Sequence, residues 1–340
     1  MKEKHKFNEI FLTPSGTAAL EMGVLLADIS PGDEVILPSY TFSSTVNAIV
    51  IFGAVPVFCE VEKDTMNIDP SKIESLVTSK TKMIIPIDYA GVSCEIDRIM
   101  QIASKHKLIV FQDSAQSYGT YYKGKATGTQ AHLGAFSFHE TKNFNAGEGG
   151  ALIVNKPEWI ERAHFLQEKG TNRRLVLKGV MNKYSWVDKG SSYLLSDILA
   201  AMLLAQLEKE EEIKYLRSNI TSSYIRLFSE YEKKGKLSFF KVPEYILLNH
   251  HAFWVIFDTQ ENSETFMNKL RGYSVSAYIG YLPLHSSPKG LKYGYLAEDL
   301  PITEDLSSRI VRMPFYTELG EIGLDYCISS INTVLSEIYN

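Results

Sequence analysis

Over its first two thirds the chain alternates short apolar runs with helix-period segments, and this alternation limits the possible folds more than any other feature. The apolar runs are Ile10-Phe-Leu12, Glu34-Val-Ile-Leu37, Val55-Pro-Val-Phe58, Lys82-Met-Ile-Ile-Pro-Ile87, Leu108-Ile-Val-Phe111, Ala135-Phe-Ser-Phe138 and Ala151-Leu-Ile-Val154. Helix-period segments fall between them, over about 17–27, 43–52, 70–77 and 95–105. Runs of strand length separated by helices read as βα units. The expectation is an α/β fold with a mostly parallel central sheet covered by helices on both faces. From about 195 to 233 the helical pattern is long and richly charged, which predicts one connecting helix leaving the large domain. Beyond it, 237–240, 251–257 and 274–278 read as strands and 322–339 as a final helix, a smaller α+β domain. A chain of 340 residues, 45% hydrophobic, exceeds what one compact core usually holds. The domains are expected at 1–233 and 234–340.

Composition removes several function classes. The net charge of -5 is mild, and the densest charged stretch is only Glu208-Lys-Glu-Glu-Glu212, so neither a nucleic-acid tail nor a polybasic membrane patch is expected. Cys59, Cys94 and Cys327 are odd in number and lack metal-ligand spacing. Reduced thiols follow, with no metal site and no disulfide framework. No window approaches the roughly 18 apolar residues of a membrane span, and Met1-Lys-Glu-Lys-His-Lys-Phe7 has no apolar stretch behind its charges. A soluble, cytoplasmic protein is expected.

Three motifs fall just after predicted strands, where open α/β sheets bind ligands. Ser15-Gly16-Thr17 opens a helix, so its backbone N–H groups and the Thr17 hydroxyl can hold a phosphate while Gly16 permits close approach. Alone, the tripeptide reads equally as an N-cap. Asp113-Ser-Ala-Gln116 places an aspartate where it can pair with a protonated pyridine nitrogen, or simply close a turn. Gln116 adds an amide for a phenolic oxygen. Lys142 follows the strand ending at Phe138 in a segment bounded by Gly147-Glu-Gly-Gly150, and Ser137 offers a further hydroxyl to the same phosphate. A surface lysine is the bland alternative, but the apolar flank argues for burial, and burial lowers an amine's pKa. An imine-forming lysine, a pyridinium carboxylate and an anion cradle are the handles that pyridoxal 5'-phosphate (PLP) requires.

With these motifs, and with Pro31-Gly-Asp-Glu-Val35, Pro38-Ser-Tyr-Thr-Phe42, Lys123-Gly-Lys-Ala-Thr-Gly128 and Tyr281-Leu-Pro-Leu-His285, nearly the whole sequence resembles the DegT-type sugar-nucleotide aminotransferases. The resemblance implies a fold-type I PLP-dependent transferase that moves an amino group from L-glutamate to a nucleotide-linked 4-keto-6-deoxyhexose. It implies that Lys142 links covalently to the cofactor and shuttles protons, that Asp113 binds the pyridinium and Gln116 the ring oxygen, and that Gly16, Thr17 and Ser137 bind the phosphate. Phe42 would stack on the ring, although a phenylalanine there also suits core packing. Arg173 would meet a pyrophosphate or a donor carboxylate, and Tyr281 and His285 would line the sugar site. For His285 a hydrogen-bonded structural role stays open.

Two departures from the family pattern bear on these expectations. The first strand begins about nine residues from Met1, whereas relatives usually carry a helical segment before it. An N-terminally shortened PLP-fold protein without turnover is therefore the second reading, and amination at C3 of the sugar is a third. Within Gly190-Ser-Ser-Tyr-Leu-Leu-Ser-Asp197, Ser192 stands where many relatives have an asparagine that reaches the neighbouring subunit's cofactor phosphate. A homodimer is implied.

Overall fold

The computed structural model describes residues 1–339. It opens with one turn of helix, α1 (Lys2–His5), then β1 (Glu9–Thr13), α2 (Gly16–Leu26), β2 (Glu34–Pro38), α3 (Ser43–Val50), β3 (Val55–Cys59), α4 (Pro70–Ile73), β4 (Thr81–Ile84), α5 (Ile96–His106) and β5 (Ile109–Asp113). A small hairpin, β6 (Tyr121–Tyr122) and β7 (Lys125–Ala126), precedes β8 (Leu133–Ser137) and β9 (Gly150–Val154). Four helices follow, α6 (Ile160–Gln167), α7 (Arg173–Leu177), α8 (Asp197–Glu208) and α9 (Glu210–Lys233). The C-terminal part holds β10 (Leu237–Phe239), β11 (Ile246–Leu247), β12 (Trp254–Phe257), α10 (Gln260–Gly272), β13 (Tyr278–Ile279), α11 (Pro301–Arg309), β14 (Ile310–Arg312) and α12 (Gly320–Tyr339).

The large sheet has seven strands in the order β1-β9-β8-β5-β4-β2-β3. Strands β8, β5, β4, β2 and β3 run parallel, and β9 is antiparallel to both of its neighbours. Successive residues of a strand face opposite sides, and the core follows that rule. Val35 and Leu37 join one buried cluster with Met83, Phe111 and α2, while Ile36 joins another with Ile84 and Val110. Both faces are therefore covered, as the alternating sequence implied. The second cluster continues without a break into the C-terminal sheet, β10-β12-β14-β13, through Trp254, Ile256 and Val311. Among the described residues, no helix is long and apolar enough to cross a membrane.

Two sequence expectations are corrected. The connecting helix is not continuous, because α8 closes at Lys209, whose N–H bonds back to Gln206 and Leu207, and α9 starts afresh at Glu210. Three consecutive acids at that start suit the positive end of a helix dipole. Glu210 is also held in place by Lys4, with Nζ 2.7 Å from Oε2. The segment 274–278 is strand only from Tyr278, because Ser274 takes a left-handed φ of 57° and closes α10 in a turn.

Candidate active site

The sheet register builds the site. Ser137 at the end of β8 lies opposite Gly150 of β9, and Gly150 lies opposite Thr13 of β1, so three strand ends meet where α2 begins. A Cβ at Gly150 would sit 2.3 Å from the Ser15 carbonyl oxygen, and one at Gly16 would sit 2.8 Å from Ser137 Cβ. The two glycines thus bring the start of α2 into contact with β8 and β9, at a spacing no side chain permits. Ser15 caps the helix by accepting from the Ala18 N–H at 3.0 Å. The Gly16 and Thr17 N–H groups then have no acceptor within the helix, which leaves donors for an anion at its positive end. The Thr17 hydroxyl pairs with that of Ser44 at 2.7 Å, adding a hydroxyl the sequence reading missed.

Asp113, the last residue of β5, is nearly fully buried. Its Oδ2 accepts from the Thr45 hydroxyl at 2.8 Å and its Oδ1 from the Ala115 N–H at 3.1 Å. Burial raises its pKa, and these two donors, with the Lys142 charge, pull it back. The turn after Asp113 is fixed from beneath by Asp88, also buried, which accepts from the Cys94 N–H at 3.0 Å, Gln112 Nε2, and the hydroxyls of Ser114 at 2.8 Å and Ser117 at 2.7 Å. Gln116 is locked at both ends: its Oε1 accepts from the Ala90 N–H at 2.7 Å and its Nε2 donates to the Tyr281 hydroxyl at 2.9 Å.

Lys142 lies in a loop folded over the end of the sheet, where Glu140 N–H bonds to the Gly147 carbonyl and Lys142 N–H to that of His139. Gly147, at φ 78°, reverses the chain there. The next residue anchors the loop, since Asn143 donates its Nδ2 to the Asn249 carbonyl and accepts at Oδ1 from the His251 Nδ1–H, both at 2.8 Å. Burial lowers the Lys142 amine from 10.5 to about 8, against the attraction of Asp113 and with help from the Arg312 charge.

Lys142, Asp113, Gly16, Thr17, Ser137 and Gln116 share one cavity of about 430 Å³, with Phe42 and Tyr281 in the same wall. Phe42 is 59% exposed, so it is not core packing; its ring is held 6.1 Å from that of Tyr281 with a face left uncovered. Lys142 and Asp113 sense each other's charge, yet neither makes an ion pair among the described residues. Two opposite charges, one buried and one half-buried, that line a cavity without pairing leave room for a group that contacts both. Three expected residues lie elsewhere. His285 is fully buried and bonded to Ser39, Nδ1 to Oγ at 2.7 Å, in the structural role that had stayed open. Arg173 is exposed and pairs with Glu168, and Ser192 is exposed in a bridge to the same Glu168. Thr45 was missed, although a hydroxyl-rich helix start after a strand end, Thr41-Phe-Ser-Ser-Thr45, carried a signal.

The profile of the DegT/DnrJ/EryC1/StrS aminotransferase family matches residues 2–332. The chain belongs to this family. It is a PLP-dependent aminotransferase. The spore coat polysaccharide biosynthesis protein SpsC of Bacillus subtilis (strain 168) is 31% identical over 340 residues, covering 94% of this chain and 84% of the relative. GDP-perosamine synthase of Escherichia coli O157:H7 is 30% identical over 327 residues, covering 95% and 85%. The aminotransferase from Psychrobacter cryohalolentis superposes with a TM-score of 0.92 at 25% identity, over 100% of this chain and 90% of that one. The protein Spr1654 of Streptococcus pneumoniae, solved in its PLP form, shares the fold with a TM-score of 0.90 at 24% identity, over 100% and 90%.

The residues of the aminotransferase fit PLP, because the Gly16 cradle, the buried carboxylate and the Lys142 amine face one cavity. Gly16→Ala tests the cradle. Its added methyl must push Ser137 away from the free N–H groups, and a charge-assisted hydrogen bond lost is worth about 1.5–3 kcal/mol. Cofactor affinity, read by absorbance titration, is expected to fall on the order of 100-fold.

Proposed function

We propose that this aminotransferase moves the amino group of L-glutamate to C4 of dTDP-4-dehydro-6-deoxyglucose, giving dTDP-4-amino-4,6-dideoxygalactose for surface-polysaccharide synthesis. The observation that carries a transamination reading is that half-buried Lys142 and buried Asp113, neither in an ion pair, line one cavity. Support for the substrate class comes from relatives whose names concern sugars and polysaccharide, SpsC and GDP-perosamine synthase. Support for the individual sugar comes from the motifs 137–143, 168–173 and 190–197 of this sequence. When bound, PLP supplies an electron sink for the carbon that loses its proton. Lys142 carries that proton on Nζ, and its low pKa makes the amine a competent base near neutral pH. Asp113, oriented by Thr45 and the Ala115 N–H, keeps a proton on the ring nitrogen. Gly16, Thr17 and Ser137 bind the phosphate, Phe42 covers the ring, and Gln116, locked by Ala90 and Tyr281, meets the ring oxygen.

Arg173 and Ser192 serve the site of a second copy, in a homodimer. Their region carries several exposed apolar side chains, with Trp186 81% and Ile198 76% exposed, and Leu177, Val180 and Met202 also uncovered. A helix as apolar as α8 belongs in an interior. Ile198→Asp together with Met202→Asp is expected to weaken self-association by at least about 100-fold, two buried apolar side chains being worth roughly 3 kcal/mol or more. Sedimentation velocity checks this, and a monomeric unmutated protein would refute the dimer.

The substrate is tested by incubation with L-glutamate and a panel of nucleotide-linked keto sugars, with product mass and NMR. Nitrogen at C4 of the dTDP sugar is the expected result. Nitrogen at C3, or preference for another nucleotide, would replace this assignment.

A further inference from the structure

Behind Asp113 the fold buries a second carboxylate, that of Asp88, which does not line the cavity holding Lys142. Asp88 is fully buried, and no lysine, arginine or histidine of the described residues pairs with it. Hydrogen bonds take the place of a cation. Its Oδ1 accepts from the Cys94 N–H and Gln112 Nε2, each at 3.0 Å, and its Oδ2 from Gln112 Nε2 at 3.0 Å and the hydroxyls of Ser114 at 2.8 Å and Ser117 at 2.7 Å. Two of these donors cannot turn round. The Cys94 N–H is backbone, and the Gln112 amide is oriented by its own Oε1, which accepts from the Gly128 N–H at 2.9 Å. Fixed donors favour the ionised form, against the cost of burial.

The donors sit on the segment that carries the site. Gln112 and Ser114 flank Asp113, Ser117 follows Gln116, and the Asp88 N–H donates to the Asp113 carbonyl at 3.0 Å. The charge of Asp88 is felt at Asp113, whose carboxyl it pushes up after burial has done so. The other titratable groups around Asp88 supply no counter-charge: burial and then Asp88 itself hold the Cys94 thiol neutral, and the Tyr89 hydroxyl turns to Tyr40. The Lys142 charge acts on Asp113. Two buried like charges at one strand end repel each other, and a cation seated at Asp113 relieves both. A neutral ring there relieves neither.

We propose that Asp88 is a positioning residue for Asp113: its buried carboxylate fixes the turn 112–117, and its charge strengthens the grip of Asp113 on a protonated ring nitrogen. This rests on the reading that Asp113 meets the ring nitrogen. The test is calorimetric titration of the apoprotein with two ligands, PLP and its analogue with C–H in place of the ring nitrogen, which keeps the aldehyde and the phosphate. The ratio of the two affinities reads the ring nitrogen alone, because the cradle, the imine and the stacked ring are common to both. Asp88→Asn keeps the side chain's shape: the amide oxygen at Oδ1 accepts from Cys94 and Gln112, and the NH2 donates to the serine hydroxyls, which turn to accept. Its preference for PLP over the analogue is expected to fall about tenfold, the equivalent of one pKa unit of interaction. Ser117→Ala leaves the carboxylate in place and removes its 2.7 Å donor, so Asp88 takes up its proton at a higher pH. Repeated between about pH 5 and 9, the titrations are then expected to show the preference for PLP fading at a higher pH than in the unmutated protein. A purely structural Asp88 would weaken both ligands alike. An unchanged ratio in Asp88→Asn, or a fade that Ser117→Ala leaves in place, overturns the proposal. Asp113→Asn separates the two readings: if it lowers the ratio while Asp88→Asn does not, the role of Asp88 alone fails, and if neither lowers it, the placing of the ring nitrogen at Asp113 fails as well.

Discussion

Lys142→Ala is expected to abolish covalent cofactor attachment and to lower turnover by roughly 10⁴-fold, since one residue supplies both the nucleophilic amine and the proton carrier. The expectation follows from an amine that burial has lowered to about 8. At pH 7.5 about a quarter of such amines are neutral, against roughly one in a thousand at the ordinary value of 10.5. The sign is fixed by the form that reacts. Only the neutral amine condenses with an aldehyde, so the rate of cofactor capture climbs about tenfold per pH unit below 8 and levels off above it. Two neighbours shift the bend in opposite directions. Removing the Arg312 charge favours the ammonium form and moves it upward, whereas removing the Asp113 charge moves it downward. Stopped-flow absorbance over pH 6 to 10 reads the profile, and borohydride reduction with peptide mapping reads the attachment point. A bend near 10, or a label on another lysine, would end the case for Lys142.

The sequence displayed the cofactor half of this site and concealed the rest for a physical reason. Gly16, Asp113, Ser137 and Lys142 each end or follow a strand whose apolar run is unmistakable, so placing the strands also placed their carboxyl ends, and the residues there could be read off. What periodicity cannot show is which strands lie side by side. That Thr13, Gly150 and Ser137 stand in one row is a matter of register, and it explains why Gly150 must lack a side chain. Arg312 escaped notice because Ile310-Val-Arg-Met313 is too short for an alternation to register, although a charge in an apolar run ending at Pro314 was visible. The break at Lys209 arises from tertiary contacts, Lys4 and His5 meeting Glu210, that no window of neighbouring residues contains. Neither Arg173 nor Ser192 lines the cavity that holds Lys142, so the roles proposed for them depend on a second copy of the chain.

Asp113→Asn is expected to slow both half-reactions by about 10³-fold while leaving the fold intact, the size of effect seen when one preorganised charge partner is removed from a reacting group. The amide has the shape of the carboxylate: its oxygen can still accept from the Ala115 N–H, and its NH2 can donate to the Thr45 hydroxyl, which turns to accept, so the substitution removes the charge and reverses one hydrogen bond. The carboxylate itself is in a poor place to be charged, since burial raises its pKa. Thr45 is among the groups that oppose this, because a donor to the ionised form favours that form. Thr45→Val therefore gives a graded test: Asp113 titrates at a higher pH, and the acid limb of the activity profile, where turnover is lost as the carboxyl takes up its proton, moves upward with it. The loss at neutral pH is expected to be roughly tenfold, the low end for a hydrogen bond to a charged group. Both variants should keep the covalent attachment, because Lys142 is untouched. An Asp113→Asn enzyme within tenfold of the original, or a Thr45→Val profile whose acid limb stays in place, would show that this carboxylate caps a turn and does not hold the cofactor's ring nitrogen.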